Sequence, residues 1–65
     1  MRIIAHTKYG VFNGFEQEYS EEKYKAIGKF LETLMNLSYF SFVIETGEVY
    51  MTKEMVADSL FILEK

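Results

Sequence analysis

At 65 residues the chain holds one compact unit, residues 1–65, and leaves no room for a second domain or a separate catalytic half. Its residues are 49% apolar and 17% aromatic, which excludes a disordered tail, and the absence of cysteine excludes a disulfide framework and a thiolate metal site. Ten acids against seven bases give a net charge of -3, and the basic residues are scattered among acids, so no phosphate-tracking stripe marks a direct nucleic-acid binder.

The apolar stretches, such as the one around Phe40 to Ile44, reach only about five residues and are too short to span a bilayer, and the opening Met1 to His6 is too short for a secretory signal. The expectation is a cytoplasmic protein with no membrane contact. A chain of this size buries only about 60% of its unfolded surface by itself, which favours self-association or a partner.

Arg2 to Tyr19 is rich in β-branched and aromatic residues, broken by Gly10 and by Asn13-Gly14, and reads as a hairpin. Asn13-Gly14 suits a two-residue turn. A bend at Lys8-Tyr9-Gly10, with Asn13-Gly14 as a bulge, instead leaves two strands of similar length. Ser20 followed by Glu21 and Glu22 starts a helix: a hydroxyl accepts from a free N–H, and two carboxylates lie beside the positive end of the dipole. The spacing of Tyr24, Ile27, Phe30, Leu31, Leu34 and Met35 predicts that this helix runs to about Asn36 with one apolar face. Gly28 costs about 1 kcal/mol in a helix interior, and its place beside that face suggests a close approach to a sheet.

Tyr39 to Ile44 alternates, with Phe40, Phe42 and Ile44 on one face and Tyr39, Ser41 and Val43 on the other. Glu45-Thr46-Gly47-Glu48 turns into Val49-Tyr50-Met51 as a second hairpin. Thr52 caps one helical turn through Val56, and Asp58-Ser59 leads into a last strand, Leu60 to Leu63. The predicted fold is α+β: a small antiparallel sheet, in chain order β-β-α-β-β-short helical turn-β, with one main helix packed on one face.

If the helix covers Phe40, Phe42 and Ile44, then Tyr39, Val43 and their neighbours leave an apolar patch on the other face. Either the N-terminal hairpin folds over that patch, or a second copy or a different protein covers it. Tyr39, Val43, Tyr50 and Phe61 are the expected contact residues. Glu16, Glu18, Glu21 and Glu22 place four carboxylates within seven residues, either as a solvated edge at the helix start or as an electrostatic guide to a basic partner.

Candidate chemistry is thin. His6 is the sole histidine and has no HxxxH or HxH companion, so no metal site is expected. Ser20, Ser38, Ser41 and Ser59 are each accounted for by a cap or a strand position, which leaves no nucleophile-base pair and no catalytic residue. Gly10 and Gly14 lack the lysine and the helix start of a phosphate loop, and no cofactor is implied.

The stretch Thr7-Lys8-Tyr9-Gly10-Val11-Phe12-Asn13-Gly14, the segment Thr46-Gly47-Glu48-Val49-Tyr50-Met51-Thr52-Lys53-Glu54 and the ending Ser59-Leu60-Phe61 resemble the small orphan proteins of phages and prophages of low-GC Gram-positive bacteria. That resemblance implies a protein that binds and disables a host enzyme or defence complex, or that sequesters a signalling nucleotide. The expected function is therefore a non-enzymatic inhibitor or adaptor, homodimeric or of higher order, that occludes a host protein. The alternative is an oligomeric module whose interfaces hold a small ligand.

Overall fold

In the computed structural model, which describes all residues from Met1 to Lys65, the first hairpin pairs β1 (Arg2–Thr7) with β2 (Gly10–Asn13) across Lys8-Tyr9. The Thr7 hydroxyl accepts from the Tyr9 N–H and donates to the Gly10 carbonyl, both at 3.0 Å. Gly10 sits at φ 129, a region that side chains with a Cβ rarely adopt. The bend is therefore Lys8-Tyr9-Gly10, and Asn13-Gly14 is not the turn.

Past β2 the ladder continues once, with the Gly14 N–H donating to the Ile3 carbonyl at 2.6 Å. The next contact joins Gln17 to Met1: the Gln17 N–H donates to the Met1 carbonyl at 2.8 Å, and the Met1 ammonium donates to the Gln17 carbonyl at 2.6 Å. Relative to the register Ile4↔Asn13, the second strand has gained one residue, which places the β-bulge at Phe15-Glu16, just beyond the expected Asn13-Gly14. Because Gly14 bonds to Ile3, alternation directs the next N–H, that of Phe15, away from β1 and onto the Val43 carbonyl at 2.8 Å, while Gly14 bridges Ile44. This corner joins the two sheets.

Helix α1 (Glu21–Glu32) begins as its sequence dictates, with extended Ser20 accepting from the Lys23 N–H through Oγ at 3.1 Å. It ends earlier than the apolar spacing predicts. The Thr33 hydroxyl donates back to the Phe30 carbonyl at 2.8 Å, and the chain tightens into a 3₁₀ turn, Leu34–Asn36, that swings Leu34 into the core. Strands β3 (Tyr39–Ile44) and β4 (Gly47–Thr52) form the second hairpin across Glu45-Thr46. Thr52 Oγ1 accepts from the Met55 N–H at 3.4 Å to cap α2 (Lys53–Ala57), and β5 (Leu60–Glu64) returns to pair with β1.

The fold is α+β, with antiparallel strands in two sheets ordered β2-β1-β5 and β3-β4. Where one curved sheet is expected from sequence, the Gly14-Phe15 corner splits it, and the two inner faces pack on each other. Ala5, Phe40, Phe42 and Met51 form the buried middle, and Leu34 and Val56 plug it from the helical segments. Phe40 is the hub, with ring centroids of Phe30, Phe42 and Phe61 at 5.9, 5.6 and 5.7 Å. Ile3, Phe12 and Phe61 close the cluster from the three-stranded sheet, so this sheet, rather than α1 alone, covers the Phe40-Phe42 face.

Helix α1 seats on an edge. None of its residues is fully buried, Phe30 reaches Phe40, and the Tyr24 hydroxyl donates to the Leu63 carbonyl of β5 at 3.4 Å. Gly28 is not a point of close approach: a Cβ built there meets no heavy atom within 4 Å. No helix is long and apolar enough to cross a membrane.

Candidate functional site

Because β3 pairs with β4 in the register Tyr39↔Thr52, Ser41↔Tyr50 and Val43↔Glu48, these six residues share the face turned away from the core. Tyr39, Val43 and Tyr50 are 64%, 55% and 66% exposed, and the bulge adds Phe15, 54% exposed, next to Val43. At roughly 200 Å² per ring, these side chains present about 400 Å² of apolar surface to solvent, which falls within the size of patches that carry function on monomers.

The N-terminal hairpin does not fold over this patch. It packs on the opposite side of the β3–β4 sheet, against Phe40 and Phe42. Tyr39, Val43 and Tyr50 thus lie together as the alternation predicts. Phe61 does not join them: it is half-buried and packs edge-on against Phe40, because the register Ala5↔Phe61 turns it to the inner face with fully buried Ala5. Its neighbours Leu60 and Ile62 face outward instead.

The carboxylates divide. Glu16 follows Phe15 and lies 3.3 Å from the Met1 ammonium, whereas Glu18 lies in the connection to α1. Glu21 and Glu22 occupy the first turn of α1, and Glu21 pairs with Lys25 at 3.5 Å. Two further acids, Glu45 and Glu48, border the apolar face without an ion-pair partner. Glu45 shares an open groove of about 320 Å³ with Arg2, Phe15 and Glu16. Glu48 accepts from the Tyr50 hydroxyl at 3.1 Å, and this bond, together with the negative charge, raises the Tyr50 pKa above its usual 10.0. Sequence reading missed Phe15, Glu45 and Glu48. The missing signal was the register: without the bulge, Phe15 belongs to the first hairpin alone.

A second exposed face lies across the sandwich. Pairing of His6 with Val11 and Leu60, and of Ile4 with Ile62, sets these residues on the outer side of the three-stranded sheet, with Arg2 bonded to Glu64 at 2.8 Å at one end. His6 sits in the middle of this face between two aliphatic side chains. No three histidine, aspartate or glutamate side chains converge anywhere in the chain.

The concavities are open grooves. One of about 350 Å³ runs beside β3, lined by Phe30, Leu37, Tyr39 and Phe40, and is continuous with the outer face through Tyr39. Comparison with known proteins returns no match, whether to a family model, to a curated protein or to a solved structure.

Proposed function

We propose that this chain is a non-enzymatic binding protein whose β3–β4 outer face docks another protein. The observation that supports this reading is the contiguous exposure of Phe15, Tyr39, Val43 and Tyr50 on a rigid two-stranded surface, with Glu16, Glu45 and Glu48 at its border. Aromatic rings on fixed backbone lose little side-chain entropy on binding, which suits them to be the anchors of an interface. A standard interface takes about 800 Å² from each partner, of which somewhat more than half is apolar, so about 400 Å² of apolar anchor with a polar rim matches that scale. The acidic border selects a partner with an apolar patch ringed by lysine or arginine, and it speeds encounter with such a partner.

In this reading the protein is an inhibitor or adaptor of the small phage type that its sequence resembles, acting in the cytosol by occluding a host protein. Affinity capture from the lysate of the producing cell, with the wild-type chain beside Tyr39→Glu and Val43→Glu, tests it. A stoichiometric protein held by the wild type and lost by both variants supports the reading. Retention by both variants, or capture of no protein at all, overturns it.

A further inference from the structure

We propose that two copies of this chain associate along the free edge of β4, antiparallel and two-fold symmetric, in the register that sets Tyr50 against its own counterpart. Ile44 and Gly47 close the second hairpin over two residues, so the pairs Ile44–Gly47, Phe42–Val49 and Phe40–Met51 exchange hydrogen bonds. Glu48 and Tyr50 must then direct their N–H and C=O groups away from β3. The same alternation requires the Val43 carbonyl to point out of the far edge of β3, where it accepts from the Phe15 N–H at 2.8 Å.

Strand β4 has no neighbour on its second side, and none of the backbone hydrogen bonds formed outside the strands and helices reaches Glu48 or Tyr50. The other edges are less available. The β5 edge is capped by α1, whose Tyr24 hydroxyl donates to the Leu63 carbonyl. The β3 edge is engaged by Phe15. The β2 edge spans four residues, Gly10–Asn13, and is closed at its end by β3, where Gly14 bridges Ile44 and the Phe15 N–H donates to the Val43 carbonyl.

Strand β4 has no proline, no lysine and no bulge over its six residues, and Glu48 is its one charge. It also carries complementary charge. Glu48 stands near its start and Lys53 directly follows its end, so two-fold antiparallel pairing about Tyr50 brings each Lys53 beside the Gly47-Glu48 segment of the other copy. The Tyr50 rings become a cross-strand aromatic pair. The two β3–β4 sheets merge into four strands with one continuous outer face.

Sedimentation of the whole chain over a dilution series from about 1 μM to about 500 μM, the range of weak protein dimers, reads the association directly. Tyr50→Pro removes an N–H that faces the open edge while sparing every bond to β3, so the variant keeps the wild-type circular dichroism. Losing two ladder bonds and the ring pair weakens the dimer by about thirtyfold or more. A charge exchange gives a second arm that does not depend on proline being tolerated. Glu48→Lys weakens the dimer, and Glu48→Lys with Lys53→Glu restores it. A wild-type chain that stays monomeric throughout, a dimer untouched by a folded Tyr50→Pro, or a double variant that fails to recover overturns the proposal. Tyr39 lies on β3, away from this edge, so Tyr39→Glu removes partner capture and leaves the dimer in place, which separates the two readings.

Discussion

Gly28 and Gly14 differ by one physical fact, and replacing each by alanine gives opposite signs. Gly28 lies within α1 with no positive φ, and an added methyl group meets nothing within 4 Å. Gly28→Ala therefore gains the full helix-propensity difference, about 1 kcal/mol, with no steric cost. With an unfolding entropy of about 2.1 cal/mol/K per residue, that gain raises Tm by about 7 °C for a chain of this length. Gly14 also has no positive φ, but a methyl group there lands 2.6 Å from the Ile3 carbonyl oxygen and 3.2 Å from its nitrogen. Those atoms are backbone, and the same carbonyl accepts the Gly14 N–H, so neither partner can step aside without opening the corner between the sheets. Gly14→Ala costs about 2–3 kcal/mol, a large share of the roughly 3–10 kcal/mol that a domain of this size has in total. Thermal and urea unfolding of both variants at one fixed protein concentration measures the pair. A destabilised Gly28→Ala would mean that α1 packs closer than its edge position, and a neutral Gly14→Ala would mean that the corner is loose.

Three further outcomes follow from the placement of side chains. Phe61→Ala removes the edge-on partner of Phe40 and costs about 3 kcal/mol in urea unfolding, whereas Val11→Ala, on the exposed face of the three-stranded sheet, changes stability by less than about 1 kcal/mol. Tyr39→Glu likewise leaves the unfolding midpoint within about 0.5 kcal/mol of wild type while abolishing capture of the partner. The Tyr50 phenol, raised by its bond to the Glu48 carboxylate, ionises at lower pH in Glu48→Gln, and ultraviolet absorbance across the alkaline range reads the shift. The sign is that of a raised pKa: the bond stabilises the fold fully below the unfolded tyrosine value and is lost as pH climbs through the folded one.

Much of the architecture is legible in local chemistry. The Ser20 cap, the Thr52 cap and the alternation from Tyr39 to Ile44 depend on neighbours within four residues, and each is found where its sequence places it. The features that escape sequence reading are set by distant partners. The bulge at Phe15-Glu16 depends on the pairing of Gln17 with Met1 and of Phe15 with Val43, and nothing in Gly14-Phe15-Glu16 itself announces that register. Phe61 and Leu60 are equally apolar, so only the register Ala5↔Phe61 decides which of them turns inward. The helix end escapes for a different reason: Leu34 and Met35 continue the apolar spacing, but the Thr33 hydroxyl bonds back to Phe30 and the 3₁₀ turn sends Leu34 to the core while Met35 stays exposed.

The same geometry is why we propose β3–β4, rather than the three-stranded sheet, as the docking face. Both outer surfaces are rich in large apolar side chains, and the short axis of the molecule, 16 Å between Cα extremes, leaves them back to back with a single core layer between. No chain segment is free to cover either one: α1 is spent on the β5 edge, and α2 is tied between β4 and β5. The outer surface of β2-β1-β5 sets His6 between Val11 and Leu60 and carries the Arg2–Glu64 ion pair at one end, so a partner there must desolvate an imidazole within the contact and a charge pair beside it. On β3–β4 the charges stand aside. Tyr39, Val43, Tyr50 and Phe15 are interleaved only with the small hydroxyls of Ser41 and Thr52, and the carboxylates stand toward the hairpin end, Glu48 opposite Val43 and Glu16 and Glu45 beside Phe15, where they remain hydrated while the rings are covered.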